Sequence, residues 1–356
     1  MSYRVVQWST GNVGRHAIAG IDARPDLELA GVWVSDERKA GRDAGELAGL
    51  GRTLGVAAST DTDELLALRP DCVVYTAMAD DRLPEAMADL RRILAAGINV
   101  VSSSPVFLQF PDGVVPAEVS DPIRAAAADG GASLWVNGVD PGFANDWLPL
   151  VLTGVCERID EVRCVEILDY STYDNAKVLF DIMGFGGPPD QTPMLLQPGV
   201  LSMAWGSVVR QLAAGLDVEL DAVEERHERL PAPETFEIAS GRIEQGSTAA
   251  LRFEVRGMRD GRAVCVLEHV TRLRPDLGPD WPQPSGQGCY RVEVRGEPDY
   301  TLDLRLLGSD GDHNTAGLKA TAMRLVNAIP AVVAAPPGLL TALDLPLVTG
   351  RGLVSR

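Results

Sequence analysis

The sequence lacks the features that mark membrane, secreted and nucleic-acid-binding proteins. No apolar run approaches the roughly 20 residues that a membrane-spanning helix needs. The N-terminus lacks the basic, apolar and small-residue order of a signal peptide, because Val5 and Val6 are followed by Gln7 and Ser9. The formal net charge is −18, and such an acidic chain repels phosphate backbones and anionic lipid surfaces. We therefore expect a cytoplasmic protein that binds neither nucleic acid nor membrane.

Disulfide and metal patterns are also missing. The five cysteines are dispersed and form no CxxC pair, which is typical of reduced thiols. The four histidines are far apart, with neither HxxxH nor HxxE spacing, so we expect no metal site. His269 lies in a predicted strand, where we expect a hydrogen-bonded core residue. Neither a GxSxG motif nor a P-loop lysine appears.

Near the N-terminus, a short apolar strand at residues 4–8 runs directly into a turn that opens a helix. The turn consists of Ser9, Thr10, Gly11, Asn12, Val13 and Gly14. Ser9 holds the first glycine position of GxGxxG, while Gly11, Gly14 and Ala17 fit the related GxxGxxA spacing. Such a turn points N–H groups and the positive end of a helix at an anion. We predict that it binds the pyrophosphate of a dinucleotide; a tight turn without a ligand is the alternative.

The end of the second predicted strand, residues 27–34, is where a Rossmann protein distinguishes NAD from NADP. Ser35 is followed by Asp36, with Arg38 and Lys39 close behind. A carboxylate here binds the ribose 2′-hydroxyl, whereas serine with a nearby arginine accepts the 2′-phosphate. The pattern favours NADP. NAD stays open, because Asp36 would serve the hydroxyl if the register moved by one residue, and a solvated turn is the alternative for Arg38 and Lys39.

Small residues follow two later strand ends. They are Thr76, Ala77 and Met78 after one strand, and Ser102 and Ser103 after the next. In an open α/β sheet, the carboxyl ends of the strands line the crevice that holds the ligand. We expect these residues to leave room for the ribose and nicotinamide; ordinary loop chemistry is the alternative.

Strand and helix signals alternate over residues 1–145 and then change character. Apolar strands alternating with helices of 10–15 residues predict a doubly wound parallel sheet, an α/β Rossmann domain. Residues 146–312 show strands that alternate apolar with polar positions, which predicts an α+β domain on a mostly antiparallel sheet. Residues 313–356 form a C-terminal helix and tail that we expect to return to the Rossmann domain, with the helix ending at Pro330.

The loop after the sixth strand and the second domain supply the substrate candidates. We expect the loop, residues 138–147, to line the crevice, with Phe143 against the nicotinamide or the substrate; capping of the next helix is the alternative for its polar residues. The phenols of Tyr170 and Tyr173 are able to donate to a carbonyl or imine, with a plain turn as the alternative. The candidate substrate-binding residues are Phe143, Asn145, Tyr170 and His313.

Five stretches together carry a family resemblance. They are residues 5–14 (VVQWSTGNVG), 98–102 (INVVS), 138–149 (GVDPGFANDWLP), 183–185 (MGF) and 320–338 (ATAMRLVNAIPAVVAAPPG). With these stretches the chain resembles the 2,4-diaminopentanoate dehydrogenases and native amine dehydrogenases, distant relatives of dihydrodipicolinate reductase. The resemblance implies reductive amination of a ketone or aldehyde with ammonia and NAD(P)H, and hydride transfer to an imine carbon. It also implies a dimer interface in the second domain, hence a homodimer, and no metal.

One departure from the family pattern bears on the mechanism. Family members with amine dehydrogenase activity carry a glutamate just after the strand that matches residues 98–102, where it handles ammonia and its protons. Residues 102–111 contain no acid here; Asp112 is the first, and Asp140 is another candidate. Residues 106–108 (VFL) suggest instead an apolar pocket for a neutral carbonyl.

We therefore predict an NAD(P)-dependent oxidoreductase that acts on a small carbonyl or amine substrate. The preferred cofactor is NADP, with NAD possible, and the candidate proton donors are Tyr173 and Asp140. Two alternatives stay open. One is a reductase of carbonyl or conjugated substrates that uses no ammonia, and the other is a non-catalytic dinucleotide sensor.

Overall fold

The computed structural model describes residues 2–354 and contains two compact units. One unit ends at Val139 and resumes at Leu318, while the other is Asp140–Gly317. The unit boundaries thus fall a few residues from the expected domain limits at 145 and 312.

Strands and helices alternate in the first part of the chain, and strands dominate the second. The strands are β1 (Tyr3–Trp8), β2 (Leu27–Trp33), β3 (Ala58–Ser59), β4 (Cys72–Tyr75), β5 (Asn99–Ser102), β6 (Ser133–Val136), β7 (Arg158–Asp169), β8 (Ala222–Pro231), β9 (Phe236–Ile238), β10 (Gly241–Ile243), β11 (Thr248–Arg259), β12 (Arg262–Arg272), β13 (Gly288–Glu297), β14 (Tyr300–Leu304) and β15 (Gly338–Leu340).

Nine α-helices lie within residues 2–354. They are α1 (Asn12–Asp22), α2 (Ala44–Leu47), α3 (Thr62–Ala67), α4 (Leu83–Ala95), α5 (Ala117–Gly130), α6 (Trp147–Thr153), α7 (Val200–Ala204), α8 (Gly206–Gly215) and α9 (His313–Ala334). Within the described residues, none is both long and apolar enough to cross a membrane.

The first unit is built on a seven-stranded sheet in the order β15-β6-β5-β4-β1-β2-β3. Every strand pair in it is parallel. Apolar cores cover both faces: Trp8 and Tyr75 belong to one core, and Val5 and Val74 to the other. A strand buried on both faces is apolar throughout, as β4 is. The predicted doubly wound parallel sheet is therefore confirmed, with β15 as an additional edge strand.

The second unit is built on a six-stranded sheet in the order β14-β13-β7-β12-β11-β8. Only β7 and β12 pair in parallel; the other neighbours are antiparallel. Helix α8 buries Val208, Val209 and Leu212 in the core of this unit. The mostly antiparallel sheet predicted from the alternating pattern is confirmed.

Helix α9 corrects one prediction from the sequence. It continues past Pro330 to Ala334, whereas we expected it to end at the proline. Proline removes one backbone hydrogen bond and costs about 3 kcal/mol in a helix interior. Here Val326, Ile329 and Val332 are fully buried on either side of Pro330. The burial of this apolar stripe outweighs the lost hydrogen bond.

Candidate functional site

The glycine turn predicted to bind pyrophosphate joins β1 to α1. Ser9 adopts a left-handed conformation with φ of 82°, the backbone geometry that glycine usually provides. A Cβ atom at Gly14 would lie 2.2 Å from the carbonyl oxygen of Ser9. Gly14 is therefore required by the close approach of the helix to the end of the strand.

Gly11 has no such internal reason to be glycine. Its φ is −75°, and the nearest atom to an added Cβ would be Ser9 Oγ, at 3.8 Å. In the described chain, no side chain caps α1 and no acidic residue lies in its first turn. The first N–H groups of a helix without a cap are suited to an anion. These features fit a ligand phosphate lying against Gly11 at the start of α1.

Gln7 stabilises this turn through hydrogen bonds, a role that the sequence analysis does not predict. Its buried Nε2 donates to the Ser9 carbonyl oxygen at 2.9 Å and to Thr76 Oγ1 at 2.7 Å. Thr76 Oγ1 in turn donates to the Trp8 carbonyl oxygen at 3.0 Å. Gln7 is a polar residue among the buried apolar residues of β1, and a buried polar side chain must form hydrogen bonds. This pattern could have indicated a structural role for Gln7.

The turn after β2 brings cations to the same region of the first unit. Asp36 accepts a hydrogen bond from the backbone N–H of Arg38 and pairs with its guanidinium at 2.8 Å. These hydrogen bonds, the side-chain one first, lower the pKa of Asp36 to about 2. Lys39 Nζ donates to Thr10 Oγ1 at 3.1 Å, which places an ammonium beside the glycine turn. Ser35 is exposed.

The two later strand ends differ in how their polar groups are used. The hydroxyl of buried Ser102 lies within hydrogen-bond distance of two carbonyl oxygens, those of Tyr75 and Ser104, and accepts from Ser104 N at 3.1 Å, so it shapes its own loop. Ala77 is buried, while Met78 and Ser103 are partly exposed.

Residues 106–108 were expected to line an apolar pocket. The structure instead places Phe107 and Leu108 in the apolar core of the first unit, where they are 3% and 0% exposed.

In the second unit, a row of polar side chains crosses one face of the six-stranded sheet. Glu166 on β7 is the register partner of His269 on β12 and of Tyr290 on β13. His269 Nδ1 lies 3.3 Å from Glu166 Oε1, and its Nε2 lies 3.2 Å from Asp140 Oδ1. The hydroxyl of Tyr170 donates to Glu166 Oε1 at 2.9 Å. We call Asp140, Glu166 and His269 the acid–imidazole cluster.

Aromatic rings enclose the acid–imidazole cluster. The Phe253 ring stacks on the His269 ring with centroids 4.6 Å apart, and the Trp205 ring meets the imidazole edge-on at 4.8 Å. Trp205 Nε1 also donates to Asp140 Oδ1 at 3.1 Å. The side chains of the cluster are each 3–6% exposed. Low solvent access strengthens the interactions between these charges.

The imidazole carries a proton at neutral pH. Burial disfavours the charged ring, but the charges of Asp140 and Glu166 and their hydrogen bonds outweigh it and raise the pKa of His269 to about 10. The prediction of a hydrogen-bonded His269 agrees with this geometry. The carboxylates nevertheless outnumber the imidazolium two to one, so the cluster favours a further cation.

The three donor atoms of the cluster lie within 4.8 Å of one another, a spacing that also suits a metal ion. Both ring nitrogens of His269 already bond to carboxylates. A metal ligand must give up the proton on its coordinating nitrogen, whereas an imidazolium donates from both. The arrangement therefore fits a protonated histidine better than a metal-bound one.

Phenols adjoin the carboxylates. The rings of Tyr170 and Tyr173 stack with centroids 5.0 Å apart. Burial, and after it the charge of Glu166, raises the pKa of Tyr170 and of Tyr290 well above the usual value. Both phenols therefore remain hydrogen-bond donors. The sequence predicts Tyr170 and Tyr173 as candidate site residues, but it does not predict Tyr290.

The other predicted substrate residues shape loops and helix ends of this unit. The ring of His313 packs on Gly288, where an added Cβ would lie 3.0 Å from it. Asn145 Oδ1 accepts a hydrogen bond from Gly142 N at 2.8 Å, so it orders the turn before α6. Phe143 stacks on Trp147 with ring centroids 5.8 Å apart.

Comparison with known proteins places the chain in a family. Residues 143–353 match the model of the 2,4-diaminopentanoate dehydrogenase C-terminal domain. The chain is 44% identical, over 99% of its length and 98% of the relative's, to an amine dehydrogenase of Streptomyces virginiae. It is 23% identical to a 2,4-diaminopentanoate dehydrogenase of Acetoanaerobium sticklandii, over 74% of this chain and 70% of that one.

The solved structure of an amine dehydrogenase from Mycobacterium smegmatis has the same fold. It superposes with a TM-score of 0.79 at 23% identity and covers 99% of this chain and 98% of that chain. The chain belongs to the 2,4-diaminopentanoate dehydrogenase family, which includes the amine dehydrogenases, and it is an NAD(P)-dependent oxidoreductase.

Proposed function

We propose that this chain is an amine dehydrogenase that reduces the imine formed from a small ketone or aldehyde and ammonia. The observation that carries the proposal is the buried acid–imidazole cluster, in which two carboxylates face one imidazolium. A protonated imine is a cation, and buried carboxylates beside phenols stabilise a cation in a water-poor site. The names of the Streptomyces and Mycobacterium relatives support the same reaction.

The nicotinamide cofactor supplies the hydride, and the first unit supplies its binding groups. The proposed pyrophosphate-binding residues are Ser9, Thr10, Gly11, Asn12, Val13 and Gly14. The proposed residues for the two riboses and the nicotinamide are Ser35, Arg38, Lys39, Thr76, Ala77, Met78, Ser102 and Ser103. The fit rests on Gly11, beside which an added Cβ would meet nothing closer than Ser9 Oγ at 3.8 Å. This open space on the backbone is where we propose that the pyrophosphate lies.

We propose NADP as the preferred cofactor. Arg38 pairs with Asp36 through Nε and Nη2, yet its side chain is 90% exposed. Lys39 reaches the glycine turn. Two cations at this turn, one of them largely in solvent, favour a 2′-phosphate.

In the second unit, we propose Tyr173 or Asp140 as the proton donor; the Asp140 carboxylate would first have to take the proton that His269 Nε2 shares with it. A proton must reach the hydroxyl group that leaves as water when the carbinolamine becomes an imine, and general acids of this kind contribute substantially to rate. Phe143, Asn145, Tyr170 and His313 are the proposed substrate contacts. Reduction of a carbonyl without ammonia is the second candidate, because residues 102–111 hold no acid.

The deciding experiment measures NADPH and NADH oxidation with a panel of small aldehydes and ketones, with and without ammonium. Oxidation that requires ammonium and yields the primary amine is the expected result. Rates that ammonium leaves unchanged would establish the carbonyl reductase instead. Cofactor binding without turnover on the whole panel would favour the dinucleotide sensor.

A further inference from the structure

We propose that Glu166 is the residue that binds the substrate nitrogen, as ammonium and as the iminium made from it. This inference rests on the proposed amine dehydrogenase function and assigns the ammonia-binding role, for which residues 102–111 offer no acid. The ligand class is a small nitrogen cation with several N–H donors. The binding atom is a carboxylate oxygen on the central part of β7.

The geometry leaves Glu166 with unused acceptor capacity. In the described chain, its hydrogen bonds from Tyr170 and His269 both reach Oε1. An ionised carboxylate offers about four lone-pair sites on two oxygens. Glu166 Oε2 is thus an acceptor that is available to a donor from outside the chain. The bonds on Oε1 fix the orientation of the carboxylate before any ligand arrives.

The charge around Glu166 favours a cation over a neutral ligand. The titratable groups around it are His269, Asp140 and the phenols of Tyr170, Tyr173 and Tyr290. His269 is the single cation of this set, and it is shared between two carboxylates. A negative charge held at 5% exposure attracts an ammonium ion more strongly than it would in water.

The cations on the opposite face of the sheet do not neutralise this site. Side chains alternate between faces along a strand, so Glu268 points away from the face that carries His269. Glu268 pairs there with Arg163 and with Arg252. That network is satisfied within itself and leaves the excess negative charge on the Glu166 face.

The same network supplies a matched control. Glu268 is 1% exposed and Glu166 is 5% exposed; both are ion-paired strand glutamates of the same sheet. Glu166→Gln removes the charge on the proposed ammonium face, while Glu268→Gln removes one on the other face. We expect both variants to lose stability, but only Glu166→Gln should weaken the binding of ammonium.

The test measures the initial rate against ammonium concentration at saturating carbonyl and cofactor. In Glu166→Gln, the KM for ammonium should rise about 10- to 100-fold, the effect of losing a hydrogen bond to a charged group, while the KM for the cofactor stays within about twofold. In Glu268→Gln, the KM for ammonium should stay within about twofold of the wild type. If Glu166→Gln does not fold, Glu166→Asp is the second variant. It keeps the negative charge but moves the carboxylate away by the length of one methylene group, so the KM for ammonium should rise several-fold.

Other results would overturn the assignment. An ammonium KM that stays unchanged in Glu166→Gln, or rises equally in both glutamine variants, would remove Glu166 from the nitrogen site. Loss of wild-type activity on chelation, restored by a divalent cation, would make the cluster a metal site instead. Wild-type NADPH oxidation that ignores ammonium would refute the proposed function itself, which is a separate outcome.

Discussion

Gly11 and Gly14 in the first turn are glycines for different reasons: Gly14 because the backbone of Ser9 is too close for a side chain, and Gly11 because a ligand is proposed to lie beside it. Alanine substitutions test this difference. Gly14→Ala would press a Cβ against the Ser9 carbonyl oxygen, at 2.2 Å, so we expect a loss of about 1–3 kcal/mol in the free energy of unfolding. Gly11→Ala meets only Ser9 Oγ at 3.8 Å, so its cost should be confined to the loss of a glycine N-cap, about 0.5–1 kcal/mol.

Gly11→Ala should affect cofactor binding more than it affects stability. Gly11→Ala should weaken NADPH binding at least about tenfold, because a methyl group would stand where the pyrophosphate approaches the backbone. Urea unfolding gives the stability and fluorescence titration gives the affinity. Wild-type affinity for NADPH in Gly11→Ala would contradict the assignment of this turn.

The residues after β2 should decide cofactor preference. Ser35→Asp combined with Arg38→Ala introduces a carboxylate and removes a guanidinium that is 90% exposed, so the fold should be unaffected. We expect the KM for NADPH to rise at least about tenfold more than that for NADH, because a 2′-phosphate loses a charged hydrogen bond. Arg92→Ala, which removes another arginine paired with an aspartate, is the control. An equal change for both cofactors would refute the NADP assignment.

His269 should make stability depend on pH. Its pKa in the folded protein is about 10, raised from 6.5, so the ion pairs contribute fully below about pH 6.5 and are lost as pH rises towards 10. His269→Gln breaks a buried pair and should cost about 3–5 kcal/mol at low pH. The difference in unfolding free energy between wild type and variant, from urea titrations, should shrink between pH 6.5 and 9.5. A constant or growing difference would exclude a protonated His269.

At the scale of elements, the Rossmann strands were the easiest part to predict. Strand β4 (CVVY) is apolar at every position because helices cover both faces of its sheet, so composition alone identifies it. The end of α9 was harder. A proline usually ends a helix. Here the cost of the lost hydrogen bond opposes the gain from burying apolar residues on both sides of Pro330. The local sequence does not show which of the two is larger.

The candidate site was predictable only in part, because strand pairing brings together residues that are far apart in sequence. Tyr170 and Tyr173 lie close together in sequence, so the sequence alone is enough to pair their phenols. Glu166 and His269 are more than a hundred residues apart and become neighbours only through the parallel pairing of β7 with β12. The usable signal was an ionisable residue inside an apolar strand, which must find a partner when buried. Which partner it finds depends on strand order, which the sequence pattern does not specify.

At the scale of the whole molecule, the outer face of the six-stranded sheet bears on the oligomeric state. It carries both signs of charge, with Arg163 and Arg252 bound to Glu268, and Glu254 between Arg163 and Arg256. Within the described residues, Arg256 Nε is buried without a hydrogen bond. A twofold interface joins the same patch on two copies, so a patch that contains both signs is able to complement itself.

We therefore expect a homodimer that uses this face, as the family resemblance implies. Light scattering after size exclusion should give twice the chain mass of 38.0 kDa. Arg256→Glu removes a cation from the self-complementary patch and adds like charge beside Glu254, so it should shift the protein towards monomer, whereas Arg92→Glu on α4 should not. A monomeric wild type would refute the dimer. A dimer that Arg256→Glu leaves intact would place the interface on a different surface, because like charges brought together across a twofold axis repel each other.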